Sequence, residues 1–446
     1  MTTPILDFVR AYAKKGGMRL HMPGHKGKGM LGIEWADITE IEGADVLYSA
    51  EGIIAESERN AASLFGSRKT FYSAEGSSLS IRAMLYLTVL YARSIGRRPL
   101  IWAGRNAHKA FLCAAAQLDF GMEFLMGDAC TLLSCPIDAK MLDQQLSDAK
   151  EKPIAVYVTS PDYLGNVADI AALAKTVHQH GALLLVDHAH GAYLHFLSPS
   201  RHPMTLGADM CCDSAHKTLP ALTGASYLHI GQNAPEFFDL HAENAFSFFA
   251  SSSPSYLILQ SLDALNAYLD GGYREKLAEF LPYVSALKKN LESHGYRLIG
   301  DEPLKLTLAP KSYGYTGKEL AELLRGQGMT LEFSDPDYAV MMLTPELGTR
   351  ALSQIEYVLT AIEKKEPITD AAPPLPCLLR EMSAREALLR PSETVPCECA
   401  CGRILSDAVL SCPPAIPIAV CGERLNEEAV RLFEYYGMKK CRVLCE

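Results

Sequence analysis

Between residues 69 and 230 one alternation recurs: a short, almost wholly apolar run, then a longer stretch with apolar residues at helical spacing. The apolar runs fall at 69–72, 99–103, 122–126, 154–158, 182–186, 208–212 and 225–230. Helical stretches lie between most of them, at 77–94, 108–117, 139–148 and 169–179. Apolar runs without polar alternation suit strands covered on both faces, as in parallel sheets. The alternation predicts an α/β fold, a mostly parallel sheet flanked by helices with ligands at the carboxyl ends of its strands.

Ahead of this core, Ile5–Tyr12 is amphipathic, and 55–65 has helical spacing ending at Gly66, a good C-cap. The stretch Leu20–Gly29 is too rich in Gly and Pro for a regular element. Its two His and two Lys either line an anionic pocket or are solvated. Residues 231–270 look helical, interrupted at Ser251-Ser-Ser-Pro-Ser-Tyr256. From about 275 the order changes: a helix at 280–293, a strand at 305–308, a helix at 317–327, strands at 329–333 and 339–343, and a helix at 349–364. The proline-rich 366–376 reads as a linker, and the tail carries helices near 383–389 and 426–437. The expected domains are an N-terminal arm (1–30), a large domain (31–274), a small α/β domain (275–365), the linker (366–376) and a C-terminal domain (377–446).

Composition adds little. With 48% hydrophobic and 21% charged residues, the 446-residue chain is ordinary for a globular protein. No apolar run approaches the ~20 residues that span a bilayer. The N-terminus lacks the basic and apolar regions of a signal peptide, so no membrane is expected and cytoplasm is the expected location. The 13 Cys fit free thiols in a reducing compartment. A net charge of −10 argues against nucleic acid as a partner and mildly favours cationic small molecules. Cys397-Glu-Cys-Ala-Cys401 lacks the second Cys pair of a zinc site, so no metal is expected; its alternation suits a strand with one buried face.

The candidate chemistry gathers at strand ends. Lys217, in Ser214-Ala-His-Lys217, sits in a polar loop between two apolar runs. Asp187 closes the apolar run Gly181-Ala-Leu-Leu-Leu-Val-Asp187. Pyridoxal phosphate (PLP) chemistry requires such a pair: the amine forms a Schiff base and the carboxylate keeps the pyridine nitrogen protonated. The same two residues also read as a surface lysine and a turn-capping aspartate. Ser73-Ala-Glu-Gly-Ser-Ser78 opens a helix and could cradle a phosphate, or be a plain N-cap. His108, in Arg105-Asn-Ala-His-Lys109, could stack on a flat ring or be structural. Thr159-Ser-Pro-Asp-Tyr-Leu-Gly165 follows a further strand, and His188-Ala-His-Gly191 extends the Asp187 strand end. Five strand ends of this kind together favour a ligand crevice.

Assembled, these motifs resemble the Orn/Lys/Arg decarboxylase family of PLP enzymes, with the aspartate-aminotransferase-like fold (fold type I) and without the extra N-terminal receiver-like domain. The likeness also includes His21-Met-Pro-Gly-His-Lys-Gly27, Asp37-Ile-Thr-Glu40, Gly43, Asp45, Gly52-Ile-Ile54 and Thr70-Phe-Tyr72. In the tail it includes Gly402-Arg-Ile404, Pro413-Pro-Ala-Ile-Pro417 and Gly422-Glu423. The resemblance implies that Lys217 carries the cofactor and Asp187 pairs with its ring nitrogen. His108 then stacks on the ring, and His190 lies beside it. Gly76, Ser77, Ser78, Ser214 and His216 hold the phosphate, with Ser252 the candidate contribution from a neighbouring subunit. A homodimer or higher homo-oligomer is therefore expected.

Family members commonly carry Asn in the place of Glu75 and Thr in the place of Asp162; both departures add carboxylates near the crevice. With Glu332, they are the candidates for a cationic substrate group. The implied reaction is decarboxylation of lysine, arginine or ornithine, placing the chain in polyamine biosynthesis. The rivals are a PLP-dependent aminotransferase or carbon–sulfur lyase, and a non-catalytic homologue. No Arg occurs from Thr218 to Ile230, where aminotransferases of this fold usually place one, which weighs against transamination.

Overall fold

The computed structural model describes residues 1–125, 134–410 and 417–445. The last position of the run expected at 122–126, and most of Pro413–Pro417, lie outside the described residues. The chain forms two compact units, one of Met1–Pro99, Lys150–Val156 and Ile170–Glu275, the other of Leu100–Ala149, Tyr157–Asp169 and Lys276–Glu446.

The seven apolar runs form strands β1 (Lys69–Ser73), β2 (Leu100–Gly104), β3 (Gly121–Leu125), β4 (Ala155–Thr159), β5 (Leu183–Asp187), β6 (Met210–Asp213) and β7 (Ser226–Ile230). Their order in the sheet is β1-β7-β6-β5-β4-β2-β3. β5 and β6 are parallel, as are β2 and β3, while β7 runs antiparallel to both β6 and β1. The loop from β6 to β7 holds only the Lys217 turn and no long crossover helix, so β7 returns antiparallel.

In the first unit, helix α1 spans Pro4–Lys15, α2 Ile53–Phe65 and α3 Ser77–Ser94. Gly66 caps α2 in the left-handed conformation, as its sequence predicts. α3 buries Leu79, Ile81, Met84, Leu85, Leu87 and Val89 against β6, β7 and the helix Phe237–Ser247. A helix covered on most sides gives the site a rigid floor. The segment expected to be helical over 231–270 is two helices, Phe237–Ser247 and Tyr256–Asp270, parted by the Ser251–Ser255 stretch.

In the second unit, α4 (Lys109–Leu118) follows β2, and α5 spans Ala139–Asp148. A four-stranded antiparallel sheet runs in the order Phe333–Ser334, Ala339–Met342, Lys305–Leu308, Leu298–Ile299. The strand expected at 329–333 is reduced to Phe333–Ser334. A tight turn consumes the next residues, the Asp335 carboxylate accepting from the backbone N–H groups of Asp337 and Tyr338 at 2.7 and 2.6 Å. Cys397–Cys399 is a single 3₁₀ turn, not the expected strand, because the preceding strand ends at Pro396. Cys397 is buried and Cys399 and Cys401 are exposed.

Buried Arg105 reaches both oxygens of buried Glu423, at 2.6 and 2.8 Å, and Glu423 also accepts from the N–H of Val420 at 2.9 Å. Arg105-Asn-Ala-His-Lys109 and Gly422-Glu423 are thus joined by an ion pair. Removing one member strands the other charge, so Arg105→Ala should destabilise the protein by about 3–5 kcal/mol in chemical denaturation. A loss under about 1 kcal/mol, the size of an exposed pair, would contradict this reading.

Candidate active site

Ser214 caps a one-turn helix, Ala215–Thr218, in which the Lys217 N–H donates to the Ser214 carbonyl at 3.0 Å. Lys217 is half-buried, and its Nζ lies 3.1 Å from His190 Nε2. Asp187 is buried at the end of β5, where β6 places Cys212 opposite it. Its Oδ1 accepts from the N–H of Ala189 at 3.3 Å and faces Cys212 Sγ at 3.7 Å. Burial and the neighbouring Asp187 and Asp213 carboxylates push the Cys212 thiol well up, so it stays a donor.

The turn before α3 is built around Gly76, with φ 72° and ψ 178°, a region essentially closed to residues with a Cβ. Its N–H donates to the Gly224 carbonyl at 2.8 Å, and its carbonyl accepts from Ser73 Oγ at 3.0 Å. No side chain caps α3. A long helix opening on glycine and two serines offers N–H groups and hydroxyls to an anion. Ser214 Oγ lies 2.7 Å from Ser77 Oγ, which ties the Lys217 turn to this cradle. His216 Nδ1 is 2.9 Å from the Ala225 carbonyl; burial, with Lys217 adding to it, lowers the imidazole below its ordinary range.

Exposed Glu75 accepts from the N–H of Ser251 at 2.8 Å and so anchors the Ser251–Ser255 stretch that carries exposed Ser252. In the second unit His108 is exposed and caps α4, its Nδ1 accepting from Ala110 N at 3.2 Å. Asp162 is buried, its carboxylate taking bonds from Ser134 Oγ at 2.7 Å and from the N–H and side-chain amide of Asn166, both at 2.8 Å. Burial raises its pKa against those bonds. The carboxylate is spent on a turn. Glu332 is exposed, and its Oε1 accepts from Tyr163 OH at 3.1 Å.

The first unit therefore gathers Lys217, His190, Ser214, Ser77 and the Gly76 turn, and links Glu75 to the Ser252 segment. Cys212 and a buried cluster around Asp213 were absent from the sequence reading of the site. His188 stands inside Asp187-His-Ala-His-Gly191 and Asp213 directly precedes Ser214-Ala-His-Lys217, so position is their only sequence signal. His21 and His25 are turned towards Tyr12 OH (2.6 Å) and Asp37 (3.1 Å).

Comparison with known proteins settles the family. The model described as "Orn/Lys/Arg decarboxylase, major domain" matches residues 3–301. The chain belongs to that family. It is similar to the Bacillus subtilis (strain 168) protein YaaO, 28% identical over 463 residues covering 97% of this chain and 93% of YaaO. It is likewise 28% identical to the arginine decarboxylase of Halalkalibacterium halodurans, over 95% of this chain and 91% of that protein. The Francisella novicida lysine decarboxylase LdcF shares the fold, with a TM-score of 0.80 at 16% identity, over 99% of this chain and 81% of that one. This Orn/Lys/Arg decarboxylase family member is thus a PLP-dependent amino acid decarboxylase of the fold-type-I class. Its residues fit the cofactor: the uncapped, glycine-opened start of α3 suits a phosphate, and the Lys217 amine is held in place by His190.

Proposed function

We propose that this chain decarboxylates a basic L-amino acid (lysine, arginine or ornithine) to the corresponding amine and CO₂, with Lys217 holding PLP covalently. Bound PLP supplies a ring that takes up the electron pair left when the Cα–carboxylate bond breaks. Asp187 holds a proton at the ring nitrogen, and the Ala189 N–H and Cys212 S–H keep its carboxylate in place. Ser77, Ser78 and Ser214, with the first N–H groups of α3, bind the phosphate. His216, its Nδ1–H given to Ala225, contacts the phosphate only when protonated at Nε2, and the phosphate dianion favours that proton. The Lys217 amine and His190 imidazole are close enough to exchange a proton, so either can deliver one to the carbon that has lost CO₂. His108 carries the ring-stacking role, and Ser252 the contribution to a neighbouring subunit's phosphate site in a homodimer or larger assembly.

The observation that carries the substrate class is the exposed Glu332 carboxylate, oriented by Tyr163 and suited to a distal ammonium or guanidinium group. Glu75 is the second candidate, with its bond to Ser251 limiting its freedom. Asp162, buried and saturated, is the weakest. The amine products make polyamine biosynthesis the proposed pathway. Incubating the PLP-loaded protein with lysine, arginine and ornithine separately, with amines identified by mass spectrometry, tests the proposal. At least one should give its amine, and Glu332→Gln should raise KM for it about tenfold, one lost charge-assisted hydrogen bond. No amine from any of the three would sink the proposal.

A further inference from the structure

Successive residues of a strand leave a sheet on opposite faces, so where Cys212 meets Asp187, Asp213 points to the far side. There it is fully buried, and both its oxygens are occupied. Oδ1 lies 2.6 Å from His188 Nδ1; Oδ2 lies 2.9 Å from His202 Nε2 and 3.2 Å from His229 Nε2.

The protons can be assigned around this cage. His202 Nδ1 accepts from the Met204 N–H at 3.2 Å, so its proton sits on Nε2 and is donated to Asp213. His229 Nδ1 lies 2.7 Å from Thr70 Oγ1, whose hydroxyl can donate to it and leave Nε2–H for the carboxylate. His188 Nε2 is buried with no hydrogen-bond partner among the described residues. An N–H stranded there would cost more than a lone pair, so its proton belongs on Nδ1, facing Asp213. A Cβ at Gly191 would stand 2.1 Å from His188 Nε2, so glycine there leaves the ring its room. Burial holds His202 down to about 3. Burial alone would raise Asp213, but His202 and His188 outweigh it and leave the carboxyl well below its usual range.

One anion thus sits among three imidazole donors in the hydrophobic interior. His188 and Asp213 are also the residues next to the site on each strand. Asp187 and His190 lie within two residues of His188, and Ser214 and Lys217 within four of Asp213. The His188 N–H donates to the Cys212 carbonyl at 3.0 Å, so backbone and side chain together pin the two strand ends.

We propose that His188 and Asp213 form a positioning pair, which fixes the Lys217 turn against the Asp187 strand end from the face of the sheet opposite Asp187. The pair touches neither cofactor nor substrate, and the proposal rests on the reading that Lys217 holds PLP. A metal at the same residues is the competing account. Every contact in the cage is already completed by a proton at hydrogen-bond distance, whereas a metal ion would need the nitrogens and oxygen each about 2.0–2.2 Å from it.

The test compares His188→Ala, His188→Asn and Thr70→Val in the whole chain. Thr70 borders the cage through His229 but lies outside the site loops. For each variant, the melting temperature without cofactor, the PLP Kd and the pH midpoint of the bound cofactor's absorbance are measured. His188→Ala should weaken PLP binding by about tenfold, or 1.4 kcal/mol, and displace the midpoint. His188→Asn, whose amide nitrogen takes the place of Nδ1 and can still donate to Asp213, should recover most of both. Thr70→Val should lower the melting temperature while leaving the Kd within about twofold. Should His188→Ala fail to fold, His188→Leu, which fills the space but has no donor for Asp213, replaces it. The proposal fails if the Kd does not move in the His188 variant, if Kd losses merely follow the melting temperatures in all variants, or if the purified protein carries one equivalent of metal. Borohydride fixation of PLP on wild-type Lys217 is scored separately. A different labelled lysine sinks the functional reading, and a labelled Lys217 with an unmoved His188→Ala Kd sinks this inference alone.

Discussion

Lys217→Ala should abolish decarboxylation, lowering kcat about 10³-fold or more while the fold survives. The survival follows from position. Lys217 is half-buried on a one-turn helix, and the apolar residues on either side of the turn, Cys212 and Leu219 among them, are buried independently of it. The loss of activity follows from chemistry, because in the proposed reaction the Lys217 amine, 3.1 Å from His190 Nε2, holds the cofactor and exchanges a proton with that imidazole. Steady-state CO₂ release with a melting curve on the same preparation checks both halves. An unfolded variant would mean that the turn depends on the lysine for stability, and retained turnover would mean that another lysine carries the cofactor.

Asp187→Asn is the second large effect. The amide keeps the shape of the side chain and one oxygen for the Ala189 N–H, so PLP should still bind. What it loses is the carboxylate proposed to hold a proton at the ring nitrogen. Electrostatic groups of this kind account for roughly 10²–10³-fold in rate. The expected result is a kcat lower by that factor, with PLP affinity little changed. Near-normal turnover would remove Asp187 from the mechanism, whereas loss of PLP binding with normal turnover at saturating cofactor would make it only a binding residue.

Much of the fold was legible because its signals are local. The bounds of α3 (77–94) and α5 (139–148) follow from apolar spacing alone, and those of β1 to β7 match the apolar runs to within two residues. Shorter elements were less legible. The 329–333 run is apolar enough for a strand, yet the strand begins only at Phe333 and stops at Ser334 before the Asp335 turn, and a side chain accepting two backbone bonds leaves no periodicity to read. The Cys397 stretch alternates, yet Pro396 ends the strand before it.

At the site, residue types at strand ends pointed to Lys217, Asp187 and the Gly76 turn, since a lone lysine, a strand-end carboxylate and a glycine-serine helix start carry chemistry in themselves. The destinations of carboxylates did not show. Glu75 and Asp162 both read as additions to a substrate crevice, yet one accepts from Ser251 N and the other is enclosed by Ser134 and Asn166. Long-range partners leave no mark on local sequence, and the cage of Asp213 by His188, His202 and His229 is the clearest case.

The most direct measurement of the central claim is reduction of the PLP-loaded wild-type protein with borohydride, followed by peptide mass mapping. The account predicts one equivalent of reduced phosphopyridoxyl mass on the peptide containing Lys217, absent from Lys217→Ala treated in parallel. Label on any other lysine, or the same label in Lys217→Ala, would contradict it.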